Sequence, residues 1–212
     1  MRLTVLFAMA MTAFAQTPAW VAASNRHALV LLEAGARFNP EVAAAQGMEG
    51  LDERIIDLGP NLVERRRTAI RAAAGELRQA LAAEKDPLVR QDVEIMIHAA
   101  ERQLRGTDLA EKYRLPYSSL AELLFGSFRS LLDEQIAAKR RPAALVRLRK
   151  YTGLEAGYKP VALLMEQRIR EKLPNASLTA PPREQIEKDL ANTSFFLDGI
   201  AQLFERYKLQ GW

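Results

Sequence analysis

Residues 39–67 read NPEVAAAQGMEGLDERIIDLGPNLVERRR. Two prolines sit where helices begin, in Asn39-Pro40 and Gly59-Pro60, and a Gly- and Asp-rich link separates them. Pro40 suits the first turn of a short helix, with Asn39 available as its N-cap. Gly47 and Gly50 break that helix. Pro60 suits the first turn of the next one. The stretch therefore turns the chain from one helix into another, and the same helix-Pro-helix punctuation recurs to the C-terminus.

Upstream, a helix spans about residues 19–37, with Leu29, Leu32 and Ala36 along one face and Trp20 near its start. It ends where Asn39 meets Pro40, because a proline disfavours helical geometry in the residue before it. Downstream, Ile70, Ala73, Ala74, Leu77 and Leu81 form an apolar stripe at helical spacing to about Glu84. Asp86-Pro87 restarts the chain as cap and first helical residue. Val89, Val93, Met96, Ile97, Ala100 and Leu104 then continue to Gly106. So short a link predicts an antiparallel helical hairpin.

Residues 114–117 read as extended. Ser118 or Ser119 caps a helix carrying Leu120, Leu123, Leu124, Phe128, Leu131, Leu132 and Ile136. Pro142 opens another, with Leu145, Leu148 and Tyr151. Gly153 and Gly157 mark a turn, and Pro160 starts a helix to Leu173. After the loop at residues 174–182, the residues Ile186, Leu190, Thr193, Leu197, Ile200, Phe204 and Tyr207 predict one last helix with a full apolar face. No run shows the two-residue alternation of a half-buried strand. The fold class is all-α, a multi-helix array of antiparallel helical hairpins.

The chain has 212 residues, 49% of them hydrophobic and 26% charged, a globular composition with room for one core of ordinary size or two subdomains. Its formal charge of +4 comes from interleaved signs, which argues against a nucleic-acid partner. It has no Cys, so disulfides, Cys-zinc sites and an N-terminal lipid anchor on Cys are excluded. Arg2, the apolar run at residues 3–11 and the small-x-small pattern Ala13-Phe14-Ala15 read as a signal peptide over residues 1–15. The mature helical domain then covers residues 16–212, is exported to the periplasm or beyond, and carries no integral membrane segment.

The residues assemble no catalytic, cofactor or metal site. The chain has two His, His27 and His98. Glu94, His98 and Glu101 project from one helical face and could hold a metal. That face borders the apolar stripe, however, and the Glu-x-x-x-His spacing differs from that of di-metal helical bundles, so it reads as solvated. The basic runs at residues 65–67 and 139–141, with Arg147, Arg149 and Lys150, read as solvated faces or structural ion pairs. Arg66 lies beside the stripe, with its stem packed and its head paired to an acid. Ser118, Ser119 and Ser130 have no His-and-acid arrangement to make a nucleophile. Phe128, Phe196 and Phe204 read as core. Asn175-Ala176-Ser177 and Asn192-Thr193-Ser194 fit the glycosylation pattern, which matters only in a host that glycosylates its exports.

Six stretches in order resemble the N-terminal region of the domain-of-unknown-function 885 family, bacterial and often exported helical proteins. They are RFNPEVAAAQGMEGLDERIIDLGP (37–60), ERRRTAIRAA (64–73), YRLPYSSLAELLFGSFRSLLDE (113–134), RPAALVRLRKYTG (141–153), GYKPVALLMEQRIREKL (157–173) and KDLANTSFFLDGIAQLFERYKLQGW (188–212). Members of that family resemble zinc-dependent peptidases, with a zincin-like helical fold and an HExxH-type motif in the C-terminal half. The resemblance implies that this chain is a truncated N-terminal portion, framing a catalytic cleft and not catalytic alone. Zinc belongs to the half that is missing here, so no catalytic, cofactor-binding or metal residue carries over. The implied partner is a separate C-terminal half or a second copy. A stand-alone periplasmic binding or scaffold protein is the alternative.

Overall fold

The computed structural model describes residues 17–212, so the signal-peptide reading of residues 1–15 lies outside the described part. Among the described residues are nine α-helices and no strand. The helices are α1 (Ala19–Ala36), α2 (Pro40–Ala45), α3 (Leu62–Ala83), α4 (Pro87–Tyr113), α5 (Leu120–Leu131), α6 (Ala143–Thr152), α7 (Val161–Arg170), α8 (Arg183–Ala191) and α9 (Thr193–Arg206). The fold is all-α. No described helix is long and apolar enough to cross a membrane.

Two cores organise the chain. In the first, α1 lies against both arms of the α3–α4 hairpin. Leu77, Val89, Val93 and Ile97 form one buried cluster, joined by Trp20 and Leu31 of α1. Ala34, Ile70, Ala73, Ala74 and Ala100 form the next. Four of these five are alanines, which lets the three helices approach closely. The hairpin turns at Asp86, whose carboxylate accepts from the Leu88 and Val89 amides ahead of Pro87 at N1, as the sequence predicts.

The second core is larger in side chains. Phe128, Leu131 and Leu132 of the α5 segment, Ala144 and Tyr151 of α6, Val161 of α7 and Ile200 and Phe204 of α9 bury one another. Phe128 meets the Tyr151 ring edge-on at 5.7 Å and the Phe204 ring at 5.2 Å, the geometry favoured by aromatic quadrupoles. The joint between the two cores is the stretch at residues 39–67. There Ala36, Ala43, Ala44 and Leu51 form a small cluster of their own, and Leu58 enters the second core.

Several expected boundaries move. Asn39 makes no side-chain cap. Pro60 precedes its helix instead of opening it, because Asn61 takes a left-handed conformation (φ 53°) and α3 begins at Leu62. Helix α4 runs through Gly106 to Tyr113. A mid-helix glycine costs only about 1 kcal/mol, and the extra turns are tied down by Arg67 to Asp108 and Lys172 to Glu111. Ser119, not Ser118, caps α5, which stops at Leu131 short of Ile136. Helix α7 ends at Arg170 rather than Leu173.

The expected single last helix is two helices, broken at Asn192. A three-four stripe cannot distinguish one straight helix from two with a change of axis. Here the break lets α9 bury Ile200 and Phe204, while α8 buries nothing fully. Leu190 and Leu197 of the predicted apolar face are left exposed, as is Phe195 outside it, so that face is buried only in its C-terminal half.

One turn fixes the approach of α7 to α6. Gly153 ends α6 at φ 75°, and a Cβ there would stand 2.5 Å from Pro160 Cδ and 2.8 Å from Pro160 N. Gly153→Ala is expected to lower stability by about 1–2 kcal/mol from the left-handed backbone alone, and further through the clash. Urea unfolding reads this directly. A loss below about 0.5 kcal/mol would show that the turn relaxes freely.

Candidate functional site

The link at residues 46–61 has little regular structure of its own and borrows it from α6. Arg140, in a 3-10 turn before α6, clamps Asp52 with both arms, Nε to Oδ2 at 2.7 Å and Nη2 to Oδ1 at 2.6 Å. Lys150 donates to the Glu53 carbonyl at 2.7 Å. Arg147 donates to the Leu51 carbonyl at 3.4 Å. These three cations rise from one stretch of the chain and hold three consecutive residues of the link. The fork of Arg140 keeps the Asp52 carboxyl below its ordinary range, so this pair stabilises the fold at neutral pH and the contribution fades as pH falls through that lowered range. The reading of the 139–150 run as structural ion pairs holds for Arg140, while Arg147 is something the sequence did not disclose.

Arg147 is 1% exposed, the largest fully buried side chain among the described residues. Its Nη1 donates to the Ser127 carbonyl at 3.1 Å and lies 3.2 Å from Ser127 Oγ. Its Nε has no partner among the described residues, and burial lowers its proton affinity. Beyond Ser127 the polar chain continues. Tyr151 Oη lies 2.8 Å from Ser127 Oγ and 2.6 Å from Glu41 Oε1. The Ile56 amide donates to the same Oε1 at 2.6 Å.

Proton counting fixes the direction of this chain. Tyr151 has one hydroxyl proton, and a carboxylate is the stronger acceptor. Tyr151 therefore donates to Glu41, Ser127 donates to Tyr151, and Arg147 donates to Ser127. Every donor points from Arg147 toward Glu41, and such a chain polarises cooperatively. Burial, and the Glu41 charge beside it, raise the Tyr151 hydroxyl well above its ordinary range. Tyr151 thus stays protonated and Ser127 is engaged on both sides, so the arrangement holds a carboxylate in place and offers no nucleophile.

Glu41 is also on the wall of a pocket of about 410 Å³ between α2 and α5, bordered by Val42, Ile56, Leu123, Gly126, Ser127 and Ser130. On the opposite side of α5 lies a larger, mainly apolar groove of about 760 Å³. Leu120, Leu145, Leu154, Leu197, Phe204 and Trp212 border it. Leu154 is 80% exposed and Trp212 53%.

The residues singled out in the sequence lie elsewhere. Glu94 and His98 are exposed on α4. Glu101 accepts from Arg78 at 2.8 Å and has His98 Nδ1 at 3.5 Å on its other oxygen. This set has one imidazole, and its best carboxylate is already engaged by a guanidinium. It does not fit the ligand set of a zinc site. Among the described residues no group of three His, Asp or Glu is placed to hold a metal. The three arginines of 65–67 separate. Arg65 pairs with Asp57 and Arg67 with Asp108 and Glu64. Among the described residues Arg66 finds no acid, contrary to expectation: its guanidinium lies over the Phe38 ring, 5.6 Å from the centroid, and its Nε has no partner there. Phe128 and Phe204 are core, and Phe196 is half-buried against Phe125 at 5.6 Å. Ser130 donates to the Ser127 carbonyl.

The sequence did carry a signal for the buried network. Ser127 is a polar residue in a strongly apolar helix, and Glu41 sits among alanines, but neither spacing nor composition could connect them across 86 residues.

Comparison of the chain with protein-family models, with curated proteins and with solved structures found no match.

Proposed function

We propose that this chain is an exported, non-catalytic helical portion of a zinc-peptidase-like protein, and that its α5–α6–α9 face seats the portion that bears the metal. The observation that supports the reading is the apolar groove beside Leu154, Leu197 and Trp212. Contiguous exposed apolar surface rimmed by polar residues marks an interaction site. Zinc enters this reading only through the other portion. The test is the reading frame downstream of the Trp212 codon. A continuing frame that encodes an HExxH-type motif is expected; a stop with no such frame nearby would overturn the proposal. Export is tested separately by sequencing the N-terminus of the mature protein, expected at Gln16.

A second reading, a stand-alone exported helical binding protein, is favoured by a different observation. The pocket over Glu41 lies on the other side of α5 from the groove and is backed by the buried polar network through Glu41 and Ser127.

A further inference from the structure

The pocket between α2 and α5 has a buried acid at its wall and no base among the described residues. Glu41 is only 7% exposed. Its Oε1 is saturated by the Ile56 amide and the Tyr151 hydroxyl. No described residue donates to Oε2, and that atom is not sealed from solvent. It therefore opens into the pocket that Glu41 lines.

A buried carboxylate is ordinarily paired or bound to a cation. Among the described residues no Lys, Arg or His borders this pocket, and none forms an ion pair with Glu41. Arg147 compensates from a distance, but through Ser127 and Tyr151 and toward the other oxygen. Glu122 at the rim adds negative potential and would repel an anion. The remaining walls, Val42, Ala45, Ile56 and Leu123, are apolar, and the Ser130 hydroxyl oxygen, which donates to Ser127, can still accept.

We propose that this pocket binds a small organic cation, a primary ammonium on a short apolar body, with Glu41 Oε2 as its counter-ion and the α2–α5 walls around the body. The volume, about 410 Å³, lies within the range of small-ligand pockets. A bare metal ion is the poorer match, since one buried carboxylate supplies too few ligands. This site is independent of the α5–α6–α9 groove, so either proposal can fail without the other.

The test uses the full chain and titrates it with benzylammonium, followed by calorimetry and by amide chemical shifts, with benzoate and benzyl alcohol as charge controls. Saturable binding of benzylammonium is expected, with shifts at Ile56, Gly126 and Ser127, and binding at least tenfold weaker for both controls. Glu41→Gln is expected to lose at least tenfold in affinity, because its amide oxygen still accepts from Ile56 and Tyr151 while the charge is gone. Gly126→Met gives a second variant that spares the buried network. A Cβ at Gly126 meets nothing within 4 Å, and methionine is a better helix former than glycine, so the variant should fold and block the pocket. Benzylammonium binding by Gly126→Met equal to wild type, or equal binding of benzoate and benzylammonium, would overturn the proposal even if Glu41→Gln proved unstable.

Discussion

Arg147→Met is expected to destabilise the protein by about 3 kcal/mol or more. The methionine keeps the apolar stem and roughly its volume, so the loss isolates the guanidinium. Without it the Ser127 carbonyl and the Leu51 carbonyl lose a buried donor, and the Glu41 carboxylate loses its internal counter-charge. For a chain of this size a loss of 3 kcal/mol corresponds to a fall of about 6–12 °C in Tm. Urea unfolding followed by circular dichroism gives the free energy. Arg147→Lys should recover little, because one ammonium cannot reach both Ser127 and Leu51 as a planar fork does. A loss below 1 kcal/mol for the methionine variant would mean that the link at 46–61 is held by Arg140 and Lys150 alone. The 3.4 Å contact to Leu51 would then be incidental.

The second large effect is expected at Phe204→Ala, about 3–5 kcal/mol. Phe204 is fully buried and closes the second core from the α9 side. It packs edge-on against Phe128 at 5.2 Å, with Trp212 at 5.5 Å beyond it. Truncation leaves a cavity between α5 and α9 that the apolar groove already borders. Phe128→Ala should cost a similar amount. The double variant should fall short of the sum by about 0.5–1.5 kcal/mol, the coupling of an aromatic pair. A loss near 1 kcal/mol for Phe204→Ala would show that α9 is only loosely attached, and its buried half would then join its exposed half as an unpartnered face.

Most of the helical architecture was legible because local chemistry encodes it. Asp86-Pro87 terminates and restarts a helix wherever it occurs on a surface, and the stripe from Ile70 to Leu81 has one face to bury. The same local logic misplaced boundaries where no strong signal stood. Gly106 looked like a stop, yet Asp108 is engaged by Arg67 of α3 and Glu111 by Lys172 in the turn after α7, and these pairs carry α4 on to Tyr113. The stripe from Ile186 to Tyr207 looked continuous, since its period survives a change of axis at Asn192. Arg66 was expected to find an acid, but its neighbours Arg65 and Arg67 took the nearby carboxylates and left it the ring of Phe38.

The sequence by itself determined an all-α chain, a hairpin of α3 and α4 and an apolar α5. These properties depend on residues within about one to three turns of one another, where spacing alone decides which side chains share a face. Only the tertiary structure decided that Glu41, Ser127, Arg147 and Tyr151 form one buried polar chain, and that α5 separates the pocket walled by Glu41 from a larger apolar groove. Residue 41 meets residue 151 because a joint at 46–61, with little regular structure of its own, is clamped to α6 by cations that the sequence presents as an ordinary basic run. Burial turned Arg147 from a surface feature into a structural one, and packing against the link did the same for Arg140 and Lys150; both follow from how the helices meet rather than from any stretch along the chain.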